Sequence, residues 1–418
     1  MAASSVVISQ HPVTEREPLV SLSVFVYGAG PTGAVLALGL ASLGCQVDLH
    51  DPLSGEEICR RSRAYAITQS SRRLLERLDL WEALQPHLIG FDQLRLEDQA
   101  VGPVVWFRQG DLIPANRHAG AIGWILDHQA LMQLLLERLR AAPGVSLNLG
   151  SRRGLDELTL RSAPDLEVAA DGPQSLHRKT WQLPLWSLPY RQGCLTVKVL
   201  LRGADPATAH EFFRSEGPFA VLPLGGQAFQ LVWSAPLDRC QERAALNASE
   251  LLDLLATVLP AGLIPDALLD QPRAFPLELS LAPRLTHGSR MLVGEAGHRC
   301  HPVGGQGLNL CWRDVADLLD LVAEHHRHPK SLRHLVRRYT RRRLPDLILV
   351  ALSTDGLLRL FSNRLALLLP LRSMALGLLM RIKLLRRLAL QAMSDGPMTF
   401  VQAPPEWRAG GRCHGAKH

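Results

Sequence analysis

The chain has 418 residues, of which 47% are hydrophobic and 20% charged, with a formal net charge of +7. This length predicts two or three domains, and the apolar share is near the globular norm, which excludes a mainly disordered chain. The seven cysteines are scattered, odd in number and never spaced as Cys-x-x-Cys. This pattern argues against a disulfide framework and a structural zinc site, and it indicates a reducing compartment.

The sequence predicts no targeting or membrane-spanning segment. Residues 1–20 form a polar tail without the cationic start and apolar core of a secretory signal. The uncharged stretches 18–47 and 217–237 are both interrupted by glycine and proline, which break a spanning helix. We therefore expect a cytoplasmic protein.

A strand, turn, helix and strand open the folded part of the chain. The pattern predicts strands over 23–27 and 46–49 and a helix over 31–43, with Pro31 in the first helical turn and Gly44 as the stop signal. Such a βαβ unit implies a parallel sheet whose ligand-binding edge lies at the carboxyl ends of the strands.

The predicted secondary structure changes character twice in the rest of the chain. Helices are predicted over 68–84 and 129–140, followed by short β-rich runs between 195 and 233, two of which are joined by Gly-Gly-Gln-Ala as in a hairpin. A strand returns at 291–294, a helix begins at Leu308, and the leucine- and arginine-rich stretch after about 339 is helical. We predict an α/β fold with a Rossmann-like parallel sheet, an inserted antiparallel sheet and C-terminal helices. The predicted parts are the tail 1–20, the parallel-sheet domain 21–185 with an excursion near 90–122, the antiparallel-sheet domain 186–285, the second part of the first domain 286–345, and the helical region 346–418.

The first motif is Gly28-Ala-Gly30-Pro-Thr-Gly33, which follows a strand and opens a helix. The first glycine makes a tight turn, the second lets backbone approach a pyrophosphate, and the third allows close packing of helix and strand. Asp51 lies at the end of the second strand, where an acid accepts ribose hydroxyls. Together these features predict dinucleotide binding, and the alternative is a merely structural turn.

The second motif places Gly304, Gly305 and Gly307 directly before a helix. A backbone that lies against a flat ligand needs this absence of side chains. The N-terminus of the following helix offers unpaired N–H groups and a positive dipole end, which suit the negative charge of a reduced flavin ring.

At these residues the sequence resembles the FAD-dependent aromatic-ring hydroxylases, specifically the ubiquinone-biosynthesis hydroxylases among the class A flavoprotein monooxygenases. Gly-Glu-Ala-Gly-His at 294–298, His301-Pro302 and Gly-Gln-Gly-x-Asn at 305–309 match that family's pattern. Further matching segments are 61–67, 170–178, 217–224 and 354–393. The resemblance implies the family's fold, FAD as cofactor and NAD(P)H as a transient reductant.

The resemblance also implies which residues hold FAD. Glu295 stands where the family usually has an aspartate bonded to the ribityl chain, and Gly297 replaces the usual alanine and is expected to make room for the longer side chain. The implied cofactor-binding residues are Gly28, Gly30, Gly33 and Asp51 at the ADP half, Arg63 at the phosphate or ring side, Glu295 at the ribityl chain, Pro302, Gly305, Gly307, Leu308 and Asn309 at the flavin ring, and Asp171 and Arg178 at FAD and nicotinamide.

Activity follows from the same resemblance. The family hydroxylates an aromatic ring with O2 through a C4a-hydroperoxide, and the expected substrate is a hydrophobic polyprenylated phenol or quinone precursor. The sequence identifies no catalytic acid or base. The alternatives are a flavin-dependent reductase or halogenase, and a non-catalytic FAD-binding subunit of a quinone-synthesis complex.

Three remaining features carry alternatives. His298-Arg-Cys300-His301 invites a metal interpretation, but adjacent residues leaving a strand cannot all converge on one ion, so we expect no metal. The basic run 325–344 is a solvated face or a surface for anionic lipid at the inner side of a membrane or for an acidic partner. The leucine-rich stretch 347–390 is a packed helical cap that could also admit a polyprenyl tail. No nucleic-acid-reading module is present in the sequence.

Overall fold

The computed structural model describes residues 21–150, 163–260 and 262–400. The predicted tail over 1–20 lies outside the described residues, as do Cys413 and the end of the predicted helical region.

Helices separate most of the strands in the first part of the chain, and the four strands over residues 186–236 then follow one another without a helix between them. In chain order they are β1 (Ser23–Tyr27), β2 (Gln46–Asp51), β3 (Ala64–Ile67), β4 (Leu88–Phe91), β5 (Gln93–Asp98), β6 (Val104–Arg108), β7 (Gly123–Asp127), β8 (Val145–Leu149), β9 (Leu166–Ala169), β10 (Trp186–Arg202), β11 (Thr208–Phe213), β12 (Phe219–Gly225), β13 (Ala228–Pro236), β14 (Ile264–Leu268), β15 (Arg273–Leu281), β16 (Thr286–His287), β17 (Arg290–Leu292) and β18 (His298–Arg299).

The helices include a long pair near the C-terminus. In chain order they are α1 (Pro31–Ser42), α2 (Gly55–Cys59), α3 (Gln69–Arg77), α4 (Trp81–Leu84), α5 (Pro114–Arg117), α6 (His128–Ala141), α7 (Leu176–Thr180), α8 (Leu237–Ala245), α9 (Ala248–Val258), α10 (Gln306–Arg327), α11 (Leu332–Phe361), α12 (Leu369–Arg381) and α13 (Lys383–Asp395). Short 3₁₀ turns lie at Gln85–His87, Gln109–Asp111, Gly294–Ala296, Val303–Gly305, Ala366–Leu368 and Pro397–Phe400.

The parallel sheet has the strand order β16-β17-β9-β1-β2-β8. β1 pairs in parallel with β2 and β9, and β17 pairs in parallel with β9, whereas β16 is an antiparallel edge strand. Apolar residues of β1 and α1, among them Val24, Val26 and Val35, are fully buried between sheet and helix. The predicted βαβ unit is confirmed, and it places the ends of β1, β2, β9 and β17 along one edge.

The second sheet is mainly antiparallel, with the order β18-β15-β10-β13-β12-β11-β5-β6 and β14 paired to β10. The predicted hairpin is confirmed, since Gly225 pairs with Ala228 between β12 and β13. α8 and α9 contribute Cys240, Leu251 and Leu255 to a core on one face of this sheet. Strands β5 and β6 of the excursion join it beside β11, with β5 parallel to β11.

One predicted helix is wrong in its length. The stretch 68–84 forms α3 and α4 rather than one helix, because Asp79 has φ of 53°. The N–H of Leu80 donates to the carbonyl of Leu75, and Leu80 is buried. This is a Schellman ending, in which a short polar residue takes the left-handed position and a buried apolar residue follows it. A small third sheet, β3-β7-β4, was also not predicted.

A buried ionic cluster joins α10 to α11. Arg343 donates to Asp314 at 2.7 Å and to Asp317 and Asp346 at 3.0 Å each. Burial alone would raise the pKa of Asp314, but His298 and Arg343 beside it lower that pKa to about 2. The cluster fixes the middle of α11 against α10, and α12 and α13 then fold back so that Asp395 meets Arg73 of α3.

Within residues 21–150, 163–260 and 262–400, no helix combines the length and apolarity needed to cross a membrane.

Candidate functional site

In the turn between β1 and α1, two glycines pack against backbone and a third faces open space. Gly28 has φ of 101°, and a Cβ there would lie 2.5 Å from the carbonyl oxygen of Ala170. A Cβ on Gly33 would lie 1.8 Å from the carbonyl oxygen of Gly28, whereas one on Gly30 would meet no described atom within 4 Å. The packing of strand and helix requires Gly28 and Gly33, and Gly30 leaves room for a ligand.

The helix that follows presents its amides to that space. α1 begins after Gly30, with Pro31 first, and no described side chain caps it. The first amides of a helix have no intrahelical partner and lie at the positive end of its dipole. This end of α1 therefore suits a phosphate group.

Asp51 supports the same turn from the end of β2. Its Oδ2 accepts a hydrogen bond from the backbone N–H of Ala29 at 2.7 Å, and its Oδ1 accepts one from Leu53 at 2.9 Å. Each carboxylate oxygen has a second lone pair. Asp51 can thus hold the turn and still accept the hydrogen bond of a ribose hydroxyl.

The second glycine-rich turn connects β18 to α10. Gly304 and Gly305 have φ of 68° and 64°, and a Cβ on Gly305 would lie 2.8 Å from the Cβ of Ala66. A Cβ on Gly307 would meet no described atom within 4 Å. α10 also begins without a described side-chain cap and without an acidic residue in its first turn. A flat, electron-rich ligand can therefore lie against this turn.

The two turns lie next to each other although about 280 positions separate them. The indole N–H of Trp312 in α10 donates to the carbonyl of Pro31 in α1 at 3.2 Å. A Cβ on Gly294 would lie 2.9 Å from the side chain of Thr32. One extended ligand can therefore contact both helix N-termini.

A cavity of about 440 Å³ adjoins the second turn. Its other walls come from the antiparallel sheet, from β3 and from α11 and α13, and most of the lining side chains are apolar. The volume is within the range of about 300–1,000 Å³ that holds small molecules. The predicted site residues that line it are Arg63, Glu295, Pro302, Gly305, Gly307 and Leu308.

The surroundings of Glu295 correct one expectation. A Cβ on Gly297 would lie 3.1 Å from Leu285 and 3.2 Å from Leu292. The space at Gly297 is therefore filled by two core leucines and does not accommodate Glu295. Glu295 instead projects toward the cavity from the 3₁₀ turn after β17, where Arg63 supplies an opposite charge.

Asp171 and Arg178 bind protein groups near the edge of the parallel sheet. The carboxylate of Asp171 lies 2.9 Å from Nδ1 of His177. The buried guanidinium of Arg178 donates to the carbonyls of Ala296 at 2.7 Å and Pro173 at 3.4 Å. Arg178 therefore fastens the segment after β9 to the segment that carries Glu295.

Asn309 is fully buried, and its side chain is engaged with protein on both ends. Its Oδ1 accepts hydrogen bonds from the Thr68 backbone at 3.0 Å and the Ser71 hydroxyl at 2.6 Å. Its Nδ2 donates to the carbonyls of Ala66 and Gly305 at 2.7 Å each. Asn309 thus holds the glycine turn against β3 and α3, and the family pattern alone does not reveal these partners.

The residues considered for a metal do not converge. His298 lies 2.7 Å from the carboxylate of Asp314 through Nε2. Nδ1 of His301 accepts a hydrogen bond from the backbone of Val303, and burial lowers the pKa of His301 to about 4. In the part of the chain that the structure describes, no three His, Cys, Asp or Glu side chains are grouped as metal ligands.

Glu211 of β11 is a cavity residue that the sequence reasoning missed. Its side chain is buried, and the neighbouring alternate residues Ala209 and Phe213 line the same cavity. Burial raises the pKa of Glu211 to about 7, and a backbone hydrogen bond from Gly304 opposes the rise. The signal in the sequence is a carboxylate at an inward position between two apolar residues, Ala209 and Phe213, on the same face of the strand.

The site as a whole fits FAD. The open positions at Gly30 and Gly307 and the uncapped starts of α1 and α10 leave space and donors for a pyrophosphate at one end and a flavin ring at the other. The carboxylate oxygens of Asp51 have lone pairs left that can accept hydrogen bonds from the ribose hydroxyls of FAD.

Comparisons with known proteins agree with this geometry. Residues 144–348 match the FAD binding domain family. The chain is 29% identical to the ubiquinone hydroxylase UbiL of Rhodospirillum rubrum, covering 96% of this chain and 95% of that protein, and 28% identical to 3-demethoxyubiquinol 3-hydroxylase of Escherichia coli, covering 88% and 97%. The crystal structure of p-nitrophenol 4-monooxygenase PnpA from Pseudomonas putida shares the fold, with a TM-score of 0.73, 15% identity, and coverage of 90% of this chain and 98% of that one. The chain is a FAD-dependent monooxygenase that resembles these ubiquinone-related hydroxylases over most of its length.

Proposed function

We propose that the protein hydroxylates the aromatic ring of a polyprenylated phenol or quinone precursor in the biosynthesis of a ubiquinone-like quinone, using NAD(P)H and O2. The observation that carries this proposal is the mostly apolar cavity with the Gly304–Gly307 turn on one wall and the antiparallel sheet and C-terminal helices on the others. The names of the two ubiquinone-related relatives support the substrate class.

The cofactor-binding roles extend the proposal to individual residues. When bound, FAD would supply the redox chemistry, in which NAD(P)H is the source of two electrons and O2 is the source of the oxygen atom added to the ring and of one water. The protein binds and orients the cofactor and the substrate, and it excludes water from the site. The residues proposed to hold FAD are Gly28, Gly30, Gly33 and Asp51 for the ADP half, Glu295 for the ribityl chain, Pro302, Gly305, Gly307 and Leu308 for the ring with Asn309 holding their turn from behind, Arg63 for the phosphate or ring side, and Asp171 and Arg178 behind the segments that contact FAD and the nicotinamide.

The tail of the substrate would leave the cavity between the C-terminal helices. Leu357 of α11 lines the cavity and is also 40% exposed, so it connects the interior to the surface. Leu379 of α12 and Leu390 of α13 line the same side. An apolar chain passing these residues remains shielded from water along its way out.

The test uses purified protein loaded with FAD. A prenylated phenol should accelerate both NAD(P)H oxidation and O2 consumption, and mass spectrometry should find one atom of isotope-labelled O2 in the product ring. A protein that takes up no flavin after reconstitution contradicts the proposal. Substrate turnover without O2 would instead identify a reductase, and tight flavin binding without substrate-stimulated oxidation would identify a non-catalytic subunit.

We also propose that the C-terminal helices dock on an anionic lipid surface. In the C-terminal helical region, Leu365 is 62%, Leu367 90% and Leu384 61% exposed. Lys383 and Arg387 lie on α13 within the same region. Exposed leucines beside cations match the composition of a membrane-surface helix, since apolar side chains enter the acyl boundary while cations meet anionic headgroups.

Co-sedimentation with lipid vesicles tests the docking. The FAD-loaded protein should bind vesicles of mixed anionic and neutral lipid and should bind purely neutral vesicles much less. The double variant Lys383→Glu, Arg387→Glu should lose roughly 2 kcal/mol of vesicle affinity, at about 1 kcal/mol per cation near the surface. Equal binding by this variant and the unchanged protein would exclude the proposed surface.

A further inference from the structure

We propose that Glu211 is the proton acceptor for the ring hydroxyl of the substrate. This inference rests on the proposed function, because it assigns a residue to the ring that the function places in the cavity. It names a catalytic residue in a reaction for which the sequence offered no acid or base.

The position of Glu211 brings its carboxyl into the cavity beside the flavin turn. In the sheet, Glu211 lies beside Ala220 of β12 and Leu96 of β5, and both neighbours line the cavity. The backbone of Gly304 is close enough to hydrogen-bond the carboxyl. A substrate ring that enters the cavity beside a flavin held at the Gly304–Gly307 turn is therefore within reach of Glu211, with apolar side chains on either flank.

The surroundings make Glu211 suitable for moving a proton near neutral pH. Its carboxyl is neutral below a pKa of about 7 and ionised above it. A general base works best when its pKa is close to the working pH. Apolar neighbours on the same sheet face, Leu94 and Phe213 among them, offer no competing hydrogen bonds.

Three other titratable side chains that line the cavity keep one protonation state near neutral pH. His210 has a pKa lowered to about 4 by burial and is neutral, and Tyr65 and Cys300 have pKa values raised to about 12 by burial and keep their protons. Arginine stays charged throughout. Among the residues that the structure describes, the titratable or charged groups that line the cavity with Glu211 are Arg63, Tyr65, His210, Glu295, Arg299 and Cys300.

The step balances in protons and electrons. The proton of the ring hydroxyl moves to the Glu211 carboxylate as the neighbouring ring carbon accepts one oxygen atom of O2. The ring gives up two electrons and NAD(P)H gives two, so that O2 is reduced to the new hydroxyl oxygen and one water. The proton then returns from Glu211 to the same ring oxygen when the hydroxylated carbon loses its own hydrogen as a proton to water. Glu211 ends the cycle ionised, as it began.

Nitrophenol, an anion above neutral pH, tests the assignment without turnover. Binding of this anion to FAD-loaded protein at alkaline pH should take up about one proton. Nitrophenolate and the ionised carboxyl of Glu211 are both anions, and they can share the cavity only if a proton binds between them. Calorimetric titration in two buffers of different ionisation enthalpy measures that uptake. Glu211→Gln should bind with little uptake, and Glu97→Gln on the outward face of β5 should behave like the unchanged protein, since Glu97 pairs with Arg95 at 2.6 Å.

Turnover of a prenylated phenol gives the second readout. The kcat of the unchanged enzyme should rise as pH rises through about 7. Glu211→Gln should lower kcat about 100-fold and remove that rise, while Glu211→Asp should restore part of both and FAD uptake should stay unchanged. The inference is overturned if Glu211→Gln takes up as many protons with nitrophenol as the unchanged protein, or keeps its pH profile. Absence of turnover by the unchanged enzyme would contradict the proposed function, and the proton uptake would still decide the role of Glu211.

Discussion

Alanine substitutions at Gly30 and Gly33 separate the packing role of the first turn from its ligand role. At Gly33 the new Cβ would lie 1.8 Å from the carbonyl oxygen of Gly28, whereas ordinary contacts begin at 3.4 Å. Helix α1 must therefore move away from β1. At Gly30, with φ of −67° and ψ of −178°, alanine fits the backbone and meets no described atom within 4 Å.

The two substitutions should change different properties of the protein, one its stability and the other its affinity for FAD. Gly33→Ala should destabilise the protein by about 3 kcal/mol, at the upper end of the usual cost of overpacking, because the clash is with backbone. Gly30→Ala should leave stability unchanged or raise it by about 0.5 kcal/mol, since alanine restricts the unfolded chain. Its methyl group occupies the space assigned to the pyrophosphate, so FAD affinity should fall at least about tenfold, or about 1.4 kcal/mol.

Two measurements on the same preparations separate the packing role from the ligand-binding role. Urea unfolding without added FAD gives the stability of each variant, and quenching of flavin fluorescence gives the FAD affinity. If Gly30→Ala binds FAD like the unchanged protein, the assignment of the open space is refuted. If Gly33→Ala is as stable as Gly30→Ala, the reasoning about packing is refuted.

Three further outcomes follow from the buried polar groups. Asn309→Ala should lower the free energy of unfolding by about 3 kcal/mol in urea titration, since the buried hydrogen-bonding groups of Thr68 and Ser71 lose their acceptor; a loss below 1 kcal/mol would contradict this. The lowered pKa of Asp314 contributes roughly 2 kcal/mol to the free energy of unfolding. This contribution is fully present above about pH 4 and is lost as pH falls through about 2. Asp314→Asn should therefore weaken the acid dependence of stability, as measured by unfolding at several pH values. Arg343→Met should cost about 3–5 kcal/mol at neutral pH, because three carboxylates lose their buried cation, and an unchanged unfolding midpoint would show that the cluster is not coupled to folding.

Local patterns account for much of what the sequence predicted correctly. The bounds of β1 and α1 and the hairpin between β12 and β13 follow from periodicity and turn residues that lie within a few positions of one another. The break at Asp79 was missed because an aspartate in the left-handed region depends on the burial of Leu80 against distant residues.

In the functional site, too, local patterns were predicted correctly and features that depend on distant residues were missed. The glycine motifs identify the two turns, since a glycine requirement is written into the sequence itself. The partners of Asn309 and the inward position of Glu211 arise only when strands and helices from separate parts of the chain come together. The space at Gly297 was assigned to Glu295 because these residues are near neighbours in sequence, but Leu285 and Leu292 occupy it in the fold.

The strand order has a consequence for how the cofactor is loaded. β17, at Arg290–Leu292, pairs with β9, which pairs with β1 near the N-terminus, and α10 follows only after β17. A ribosome must release the chain beyond residue 309 before both glycine turns exist together. Contacts of such long sequence separation form slowly, so flavin capture is a late step of maturation. During synthesis the half-built sheet has an unpaired β9 edge, which is when proteases and chaperones compete for the nascent protein.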